Sequence, residues 1–446
     1  MNDLSIALVI FIAAYVAIIS ERIHKTIVAL FGAALMIVSG VVTQEEAFHS
    51  REYGVDYNVV FLLIAMMVII NIVRKTGLFE WLAVWAVKRT RARPFPMLAL
   101  LCTITAVLSA FLDNVTTVLL MAPVTLEMAK RLDLEPVPFL VGEALASNIG
   151  GTATLVGDPP NIMIASKADL GYMDFLVVLG PVVVAIFVLF LAAMWVFKGR
   201  SMSVSAELQE QVLVLNEDDT IKDRALLRTS LWLLGFTTLG FCLHGLVHLE
   251  PATIALLSAS VFMVAGHGRG PINGEAQLDY LTEVEWKTIF FFIGLFILVG
   301  GLVKTGVIRL LAQELIVVTR GSEIGTTMAV LWGSGVLSAI VDNIPYVAAM
   351  NPLIVDLARS LHPNVTGYTA LVHQPDIIPL WWALALGACL GGNGTLIGAS
   401  ANVIIVDLAR RAGFHISFWR FFLIGFPVMV GSLLVSTAYL WLLYFW

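Results

Sequence analysis

Charge is scarce in this chain. Asp, Glu, Lys and Arg make up 13% of its 446 residues, against about a quarter in a soluble domain. Hydrophobic residues make up 59% and mean hydropathy is +0.91, so a soluble domain is excluded and the chain belongs in lipid. Cysteine is scarcer still. Cys102, Cys242 and Cys389 stand alone in apolar segments with no CxxC pair; this removes a disulfide framework and a thiolate metal site and leaves small buried hydrophobes. No GxxxxGKS or GxxxxGKT motif occurs, so a P-loop supplies no energy here. The start, MNDLS, has no basic residue before the first apolar run, and Arg22 and Lys25 follow that run. A retained first span with an outside N-terminus is expected, rather than a cleaved signal peptide. The net charge of -6 carries little, because orientation follows the placement of Lys and Arg, and nothing points to a nucleic-acid partner. Extended polar sequence is confined to residues 198–228, read as a cytoplasmic linker with a surface amphipathic helix.

What the chain has is apolar runs, among them Leu4–Ser20, Ile27–Val42, Val59–Val73 and Phe175–Phe197; a spanning helix needs about 20 residues. Inside another apolar segment, residues 147–164 read SNIGGTATLVGDPPNIMI. Gly150-Gly151 and Pro159-Pro160 break helices. At bilayer depth the freed N–H and C=O groups are costly unless satisfied, and such backbone is tolerated only inside protein or along a cavity. The freed carbonyls, with Ser147, Asn148, Gly151, Thr152, Thr154 and Asn161, make a cage for a small ion, while half-helix N-termini face an anion. A proline kink packed against neighbouring helices is the bland alternative.

The chain also repeats itself. LSAFLDNVTTVLLMAPV from Leu108 is matched by LSAIVDNIPYVAAMNPL from Leu337, 229 positions on, and the same offset brings Lys75-Thr76-Gly77 onto Lys304-Thr305-Gly306. GGTATLVGDPPNIMI from Gly150 is matched by GGNGTLIGASANVII from Gly391 at an offset of 241, the second half having gained a loop near SLHPNVTGYTALVHQPD. Several polar motifs in one order mark a duplicated unit. The first repeat, 1–197, divides into scaffold spans over 4–90, a hairpin over 95–129, a broken helix over 138–165 and a closing span over 175–197. The second, 229–446, divides into scaffold spans over 229–315, a hairpin over 325–359, a broken helix over 379–406 and a closing span over 420–446. Arg89, Arg91 and Arg93 precede the first hairpin, and Lys130 and Arg131 follow it. Its arms of about 15 residues reach ~23 Å, short of a ~30 Å hydrocarbon core, so it turns back.

Five crossings per repeat remain, and an odd number inverts the second repeat. With 198–228 inside, 20 Lys and Arg fall on the cytoplasmic side and six outside, namely Arg51, Lys167, Lys304, Arg309, Arg320 and Arg359; this obeys the positive-inside rule. The expected fold is an all-α polytopic membrane protein of two inverted-topology repeats, each with five transmembrane helices and a re-entrant hairpin, with broken helices at the midplane. Both termini lie outside. Inverted repeats with broken helices mark secondary transporters.

Asp113-Asn114, with Thr116 and Thr117, sits at the middle of the first hairpin, and Asp342-Asn343 at the middle of the second. Membrane carboxylates are rare and mark ion or proton routes, although an Asp at a helix break also serves as a cap. Gly392, Asn393, Thr395, Ser400 and Asn402 repeat the loop chemistry of the first break. Asp158 has no acidic counterpart, since Ala399 occupies its place. Glu143 is expected to be wetted near the cytoplasmic start of its span. His244 and His248 stand one turn apart without further ligands. Trp81 and Trp85 suit an amphipathic helix on the cytoplasmic surface, and Trp441, Tyr444 and Trp446 an interfacial belt.

SAFLDNVTT, SNIGGTATLVGDPPN, SAIVDNIP and LGGNGTLIGASAN resemble the motifs of the ion transporter superfamily. The likeness is to the group holding the melanosomal P protein and its bacterial relatives, arsenite permeases and NhaD-type Na+/H+ antiporters, and more distantly to the divalent anion:sodium symporters. The resemblance covers nearly the whole chain. It implies a mobile domain of two re-entrant hairpins and two unwound helices, beside a scaffold that dimerises and supports elevator motion. It puts Asn114 and Asn343 at hairpin tips and makes the segments around Gly150 and Gly391 ion-site loops. The chain departs from the symporters where Asp113 and Asp342 replace the tip serine, and where Val115 and Ile344 follow the Asn in place of threonine. Two carboxylates repel a di- or tricarboxylate unless protonated or ion-paired, at about 4 kcal/mol for each pair at 4 Å and an effective dielectric of 20.

The expectation is therefore a bacterial inner-membrane secondary transporter, surrounded by lipid and homodimeric by resemblance. It exchanges Na+ for H+ at Asp113, Asn114, Asp342 and Asn343, with no cofactor beyond the coupling ion. Transport of a small anion (arsenite, chloride or a carboxylate) and a channel-like pathway are the alternatives. An intramembrane aspartyl hydrolase would carry YD and GxGD motifs, which this chain lacks.

Overall fold

A computed structural model describes residues 2–20, 22–198, 203–214, 216–266 and 279–446, and these form helices joined by short turns, with no strand among the described residues. The first half runs α1 (Asp3–Ile19), α2 (Lys25–Val38), α3 (Gln44–His49), α4 (Tyr57–Arg74), α5 (Leu78–Arg89), α6 (Pro94–Phe111), α7 (Asn114–Arg131), α8 (Val137–Gly151), α9 (Pro159–Ala168) and α10 (Tyr172–Lys198). The short α11 (Ala206–Leu213) and a 3-10 turn (Glu217–Thr220) lie in the polar stretch, of which residues 199–202 and 215 fall outside the described residues. The second half runs α12 (Arg224–Val247), α13 (Pro251–Gly266), α14 (Asp279–Thr282), α15 (Trp286–Lys304), α16 (Val307–Thr319), α17 (Glu323–Ile340), α18 (Asn343–Leu361), α19 (Tyr368–Val372), α20 (Ile378–Gly391), α21 (Ser400–Arg411) and α22 (Phe418–Tyr444).

Local chemistry sets these limits. Asn2, Asp56, Asp113, Asp223 and Asp342 each accept from a backbone N–H of the helix that follows, and Thr43 and Glu46 make a reciprocal capping box at α3. Pro94, Pro138, Pro159, Pro160 and Pro379 occupy first-turn positions, where a missing N–H costs nothing. Seven described helices are long and apolar enough to cross a membrane, and α1, α2 and α13 are shorter apolar helices. Phe31, Val188, Trp232 and Leu423 stand exposed on the outer faces of α2, α10, α12 and α22, as lipid contact allows. The protein is an all-helical polytopic membrane protein.

Two sets of helices pack across the halves. In one, α2 lies on α15, α4 on α13, and α1 on both α2 and α15. In the other, α6 packs on α8 and α17 on α20, while α7 meets α21 and α9 meets α18. The arms α6 and α7 have 18 residues each, about 27 Å at 1.5 Å per residue. Helix α7 exceeds the 15-residue reading because it runs on through Lys130 and Arg131, whose charges suit a helix C-terminus, and α6 exceeds it because the helix is continuous from Pro94 to Phe111. The turn between them is only Leu112-Asp113. Helix α5 is not free on the surface. It buries Phe79, Ala83, Val84, Ala86 and Val87, packs on α7 and the 3-10 turn, and pairs Lys88 with Glu217.

Close backbone approach joins each hairpin to its broken helix. A Cβ on Gly150 would fall on the carbonyl oxygen of Ala106, and one on Gly391 would come to 2.5 Å from that of Gly335. Both obstacles are backbone and cannot swing aside. Gly150→Ala is therefore expected to destabilise the protein by about 1–3 kcal/mol or more, read as a lower melting temperature in detergent. Gly431→Ala, with nothing within 4 Å of the added carbon, should melt like the parent.

Candidate functional site

The backbone freed at the two breaks is held by two asparagines. Asn161 Nδ2 donates to the carbonyls of Gly151 (3.3 Å), Thr152 (3.2 Å) and Thr154 (2.9 Å). Asn402 Nδ2 donates to those of Gly392 (2.8 Å) and Thr395 (2.9 Å). The loops are also pinned to the hairpins in the same manner: the Thr154 hydroxyl donates to Ala110 O, and the Thr395 hydroxyl to Ala339 O. Ser109 Oγ donates to Ser147 O (2.8 Å) and Ser338 Oγ to Ala388 O (2.6 Å). The serines were legible in the repeated LSA of both hairpins but were not singled out. Thr152 turns its hydroxyl back to Asn148 O (2.7 Å).

An amide chain crosses between the halves. Asn114 Nδ2 donates to Asn148 Oδ1 (3.2 Å), and Asn148 Nδ2 donates to Asn393 Oδ1 (2.9 Å) and Asn402 Oδ1 (3.1 Å). Ser147 Oγ lies 3.1 Å from the Asn114 carbonyl oxygen. All of these side chains are buried, and Asn114 Oδ1, Thr117 Oγ1 and Asn393 Nδ2 have no partner among the described residues. Asp158 is 1% exposed; its oxygens accept from Asn343 Nδ2 at 3.4 and 3.2 Å, and no cation pairs with it among the described residues.

The two hairpin aspartates line a different space, a cavity of about 740 Å³. Its wall includes Asp113, Asp342, Ser400, Lys25, Glu285 and Lys287, with Leu63, Met67 and Phe291 as apolar lining. Asp113 caps α7, accepting from the Thr116 N–H (2.8 Å) and hydroxyl (2.5 Å), and no cation pairs with it among the described residues. Asp342 is ion-paired: Lys25 Nζ lies 2.6 Å from its Oδ2, and the Ser400 hydroxyl donates to that oxygen at 3.0 Å. Lys25 also donates to Ser400 Oγ (3.0 Å) and sits over the Phe291 ring. Tyr15 OH donates to Pro345 O (2.5 Å) beside this pair. Sequence reasoning missed Lys25 and Tyr15. Lys25 reads as a flank of the second span, and 317 residues separate it from Asp342.

One expectation needs correcting. Glu143 is not wetted but fully buried, because α8 is enclosed along its whole length by α6, α7, α10, α20 and α21. His244 Nε2 accepts from the Tyr172 N–H (3.3 Å), and His248 ends α12 in the left-handed region. No group of three metal-binding side chains occurs among the described residues.

Apolar helices around a cavity that carries charged groups on a largely apolar wall, with two helices broken inside the bundle, define an integral membrane transporter. The chain belongs to the citrate transporter family (CitMHS), whose family model matches residues 15–387. An uncharacterized transporter of Mycobacterium tuberculosis H37Rv is 45% identical over 440 residues, covering 99% of this chain and 98% of its own. The human P protein is 32% identical over 521 residues, covering 98% of this chain and 60% of its own. In fold, the chain is similar to the YdaH transporter of Alcanivorax borkumensis, with a TM-score of 0.57 at 13% identity, covering 93% of this chain and 89% of the other.

Asn161→Ala strips the donor from three buried carbonyls. At about 1–3 kcal/mol for each unsatisfied group, a loss of about 3 kcal/mol or more is expected in thermal unfolding. The exposed Asn58→Ala serves as the control.

Proposed function

We propose that this protein is a secondary transporter of small carboxylate-class anions, coupled to Na+ or H+, acting by elevator-type alternating access. The observation that carries the reading is the Lys25–Asp342 ion pair in the cavity. Two bare aspartates would reject a carboxylate. Lys25 offsets Asp342, and Lys287 offsets Glu285 on the same wall, which leaves Asp113 without a cation and supplies two ammonium groups for the substrate. A proton or Na+ arriving at Asp342 competes with Lys25 and frees its ammonium to meet the anion, so cation and anion load together. The family's description as citrate transporters supports the same class.

In this reading the chain is two inverted repeats, 1–197 and 229–446 around the cytoplasmic linker, each with five crossings and a hairpin. The equivalent bonds of Asn161 and Asn402, and of Thr154 and Thr395, support the duplication. The hairpins and broken helices (α6–α9 and α17–α21) form the moving body, and α1–α4 with α12–α16 form the scaffold, which pairs with a second copy. With the N-terminus outside, both the α1–α2 corner and the start of α15 face the cytoplasm, so the cavity opens inward. Asp113, Asp342 and Ser400 contact the moving ions in the cavity, and Asn114, Thr116 and Asn343 hold the hairpin tips beside them. Ser147, Asn148, Asn161, Asn393 and Asn402 hold the loops that shape the site.

Cation/proton exchange without an anion is the second reading, favoured by Asp113, which has no cation partner among the described residues. Proteoliposomes with an internal pH dye separate the two. Labelled citrate uptake accompanied by proton or Na+ movement, and lost in both Lys25→Met and Asp342→Asn, is expected. A pH change on adding Na+ alone, kept in Lys25→Met and lost in Asp113→Asn, would favour exchange. No response to citrate or to any cation would contradict both.

A further inference from the structure

We propose that Glu143 is a proton-binding site, separate from the cavity, within the α6–α7–α8 bundle. Its side chain is fully buried in the middle of α8. Thr125 of α7 donates its hydroxyl to Oε1 at 2.7 Å, while Oε2 has no partner among the described residues. No cation pairs with it there. A bare carboxylate in such a place is strongly disfavoured, so the carboxyl binds a proton whenever the bundle is closed.

The fold does not require this acid. At the offsets that relate the two halves, Glu143 corresponds to Leu384, Thr125 to Ile354 and Ser147 to Ala388. The second bundle makes the same close helix approach, at Gly391 and Gly335 instead of Gly150 and Ala106, with a leucine in place of the acid. The polar trio is confined to the first half, where it has a use that packing does not explain.

Its neighbours give a route for coupling. One turn along α8, Ser147 Oγ lies 3.1 Å from the carbonyl oxygen of Asn114 at the hairpin tip. Loading Glu143 is therefore one helical turn from the tip that shapes the cavity. The titratable group facing Glu143 from α6 is the Cys102 thiol. From α7 comes Thr125, and from α10 the apolar Met194, which approaches the adjacent Gly142. The charged residues of α21, Asp407, Arg410 and Arg411, pair with one another at its exposed end. Cys389 of α20 is bonded to Asn161, and Asn393 of the neighbouring turn to Asn148.

The coupling role rests on the transport reading above; the binding of the proton does not. Infrared difference spectra of the purified full chain, taken between acidic and alkaline buffer, test the binding. A protonated-carboxyl band that disappears reversibly at alkaline pH, is missing in Glu143→Gln and remains in Asp158→Asn is expected. A band unchanged in Glu143→Gln, or one that never responds to pH in the parent, would overturn the proposal. Glu143→Leu, carrying the residue of the other bundle, should melt near the parent temperature, which separates loss of the proton from loss of the fold. In proteoliposomes given citrate, Glu143→Gln should lower the number of protons moved with each citrate, and an unchanged ratio would overturn the coupling role. If the parent moves no citrate, the transport reading fails while the infrared result still decides the proton site.

Discussion

Backbone polar groups released inside an apolar bundle must find partners within the chain, and the rest of this structure depends on how that demand is met. Each broken helix opens carbonyls that no water-filled face of a soluble protein would help to satisfy. Here one asparagine at the start of each second segment turns back and donates to them: Asn161 for the first break and Asn402 for the second. A threonine in each loop then ties it to the hairpin alongside. The loops are thus fixed features with defined shape. The amide oxygens of Asn393 and Asn402 at the second break meet at Asn148 Nδ2, which joins the halves at the centre, while the Asn161 oxygen accepts from the Cys389 thiol.

Around that neutral centre the charges are distributed unequally. Asp342 has Lys25 and Ser400, Asp113 has the start of its own helix and Thr116, and Asp158 has the Asn343 amide and the Cys389 thiol. The Lys25 bond matters most, because it runs between the helix set that holds α1, α2 and α15 and the set that holds the hairpins. An ion pair between two packed bodies, at the wall of a cavity, ties the charge state of the cavity to the relative position of those bodies. A membrane charge without a partner is costly, so any movement that separates Lys25 from Asp342 needs a replacement ion on each side.

The sequence made some of this legible for physical reasons. Scarcity of charge and the length of apolar runs are local signals, and they suffice for a polytopic helical protein. Glycine and proline act within a turn or two, so the ends of α8 and α9 follow from Gly151 and Pro159. What stayed hidden depends on long-range packing. Lys25 looks like a charge anchoring a span, and nothing near it in the chain announces Asp342. Glu143 looks wettable because it lies seven residues from a proline-marked start, yet the five helices packed on α8 bury it completely. The helices on which α5 rests were equally invisible, since its two tryptophans fit a lipid surface as well as a protein one.

The proposed alternating access requires that the cavity wall at the hairpin tip be exposed to one side of the membrane at a time. Val341 lines the cavity beside Asp342, and Cys102 and Cys389 are buried, so Val341→Cys in a Cys242→Ser background carries one accessible thiol. Its modification by a membrane-impermeant thiol reagent would be measured in right-side-out and inside-out vesicles. Reaction from the cytoplasmic side alone is expected in the resting protein, and from the outer side once citrate and Na+ are supplied. Reaction from both sides at once would show an open pore, and reaction from one side regardless of ligand a fixed wall; either would contradict alternating access.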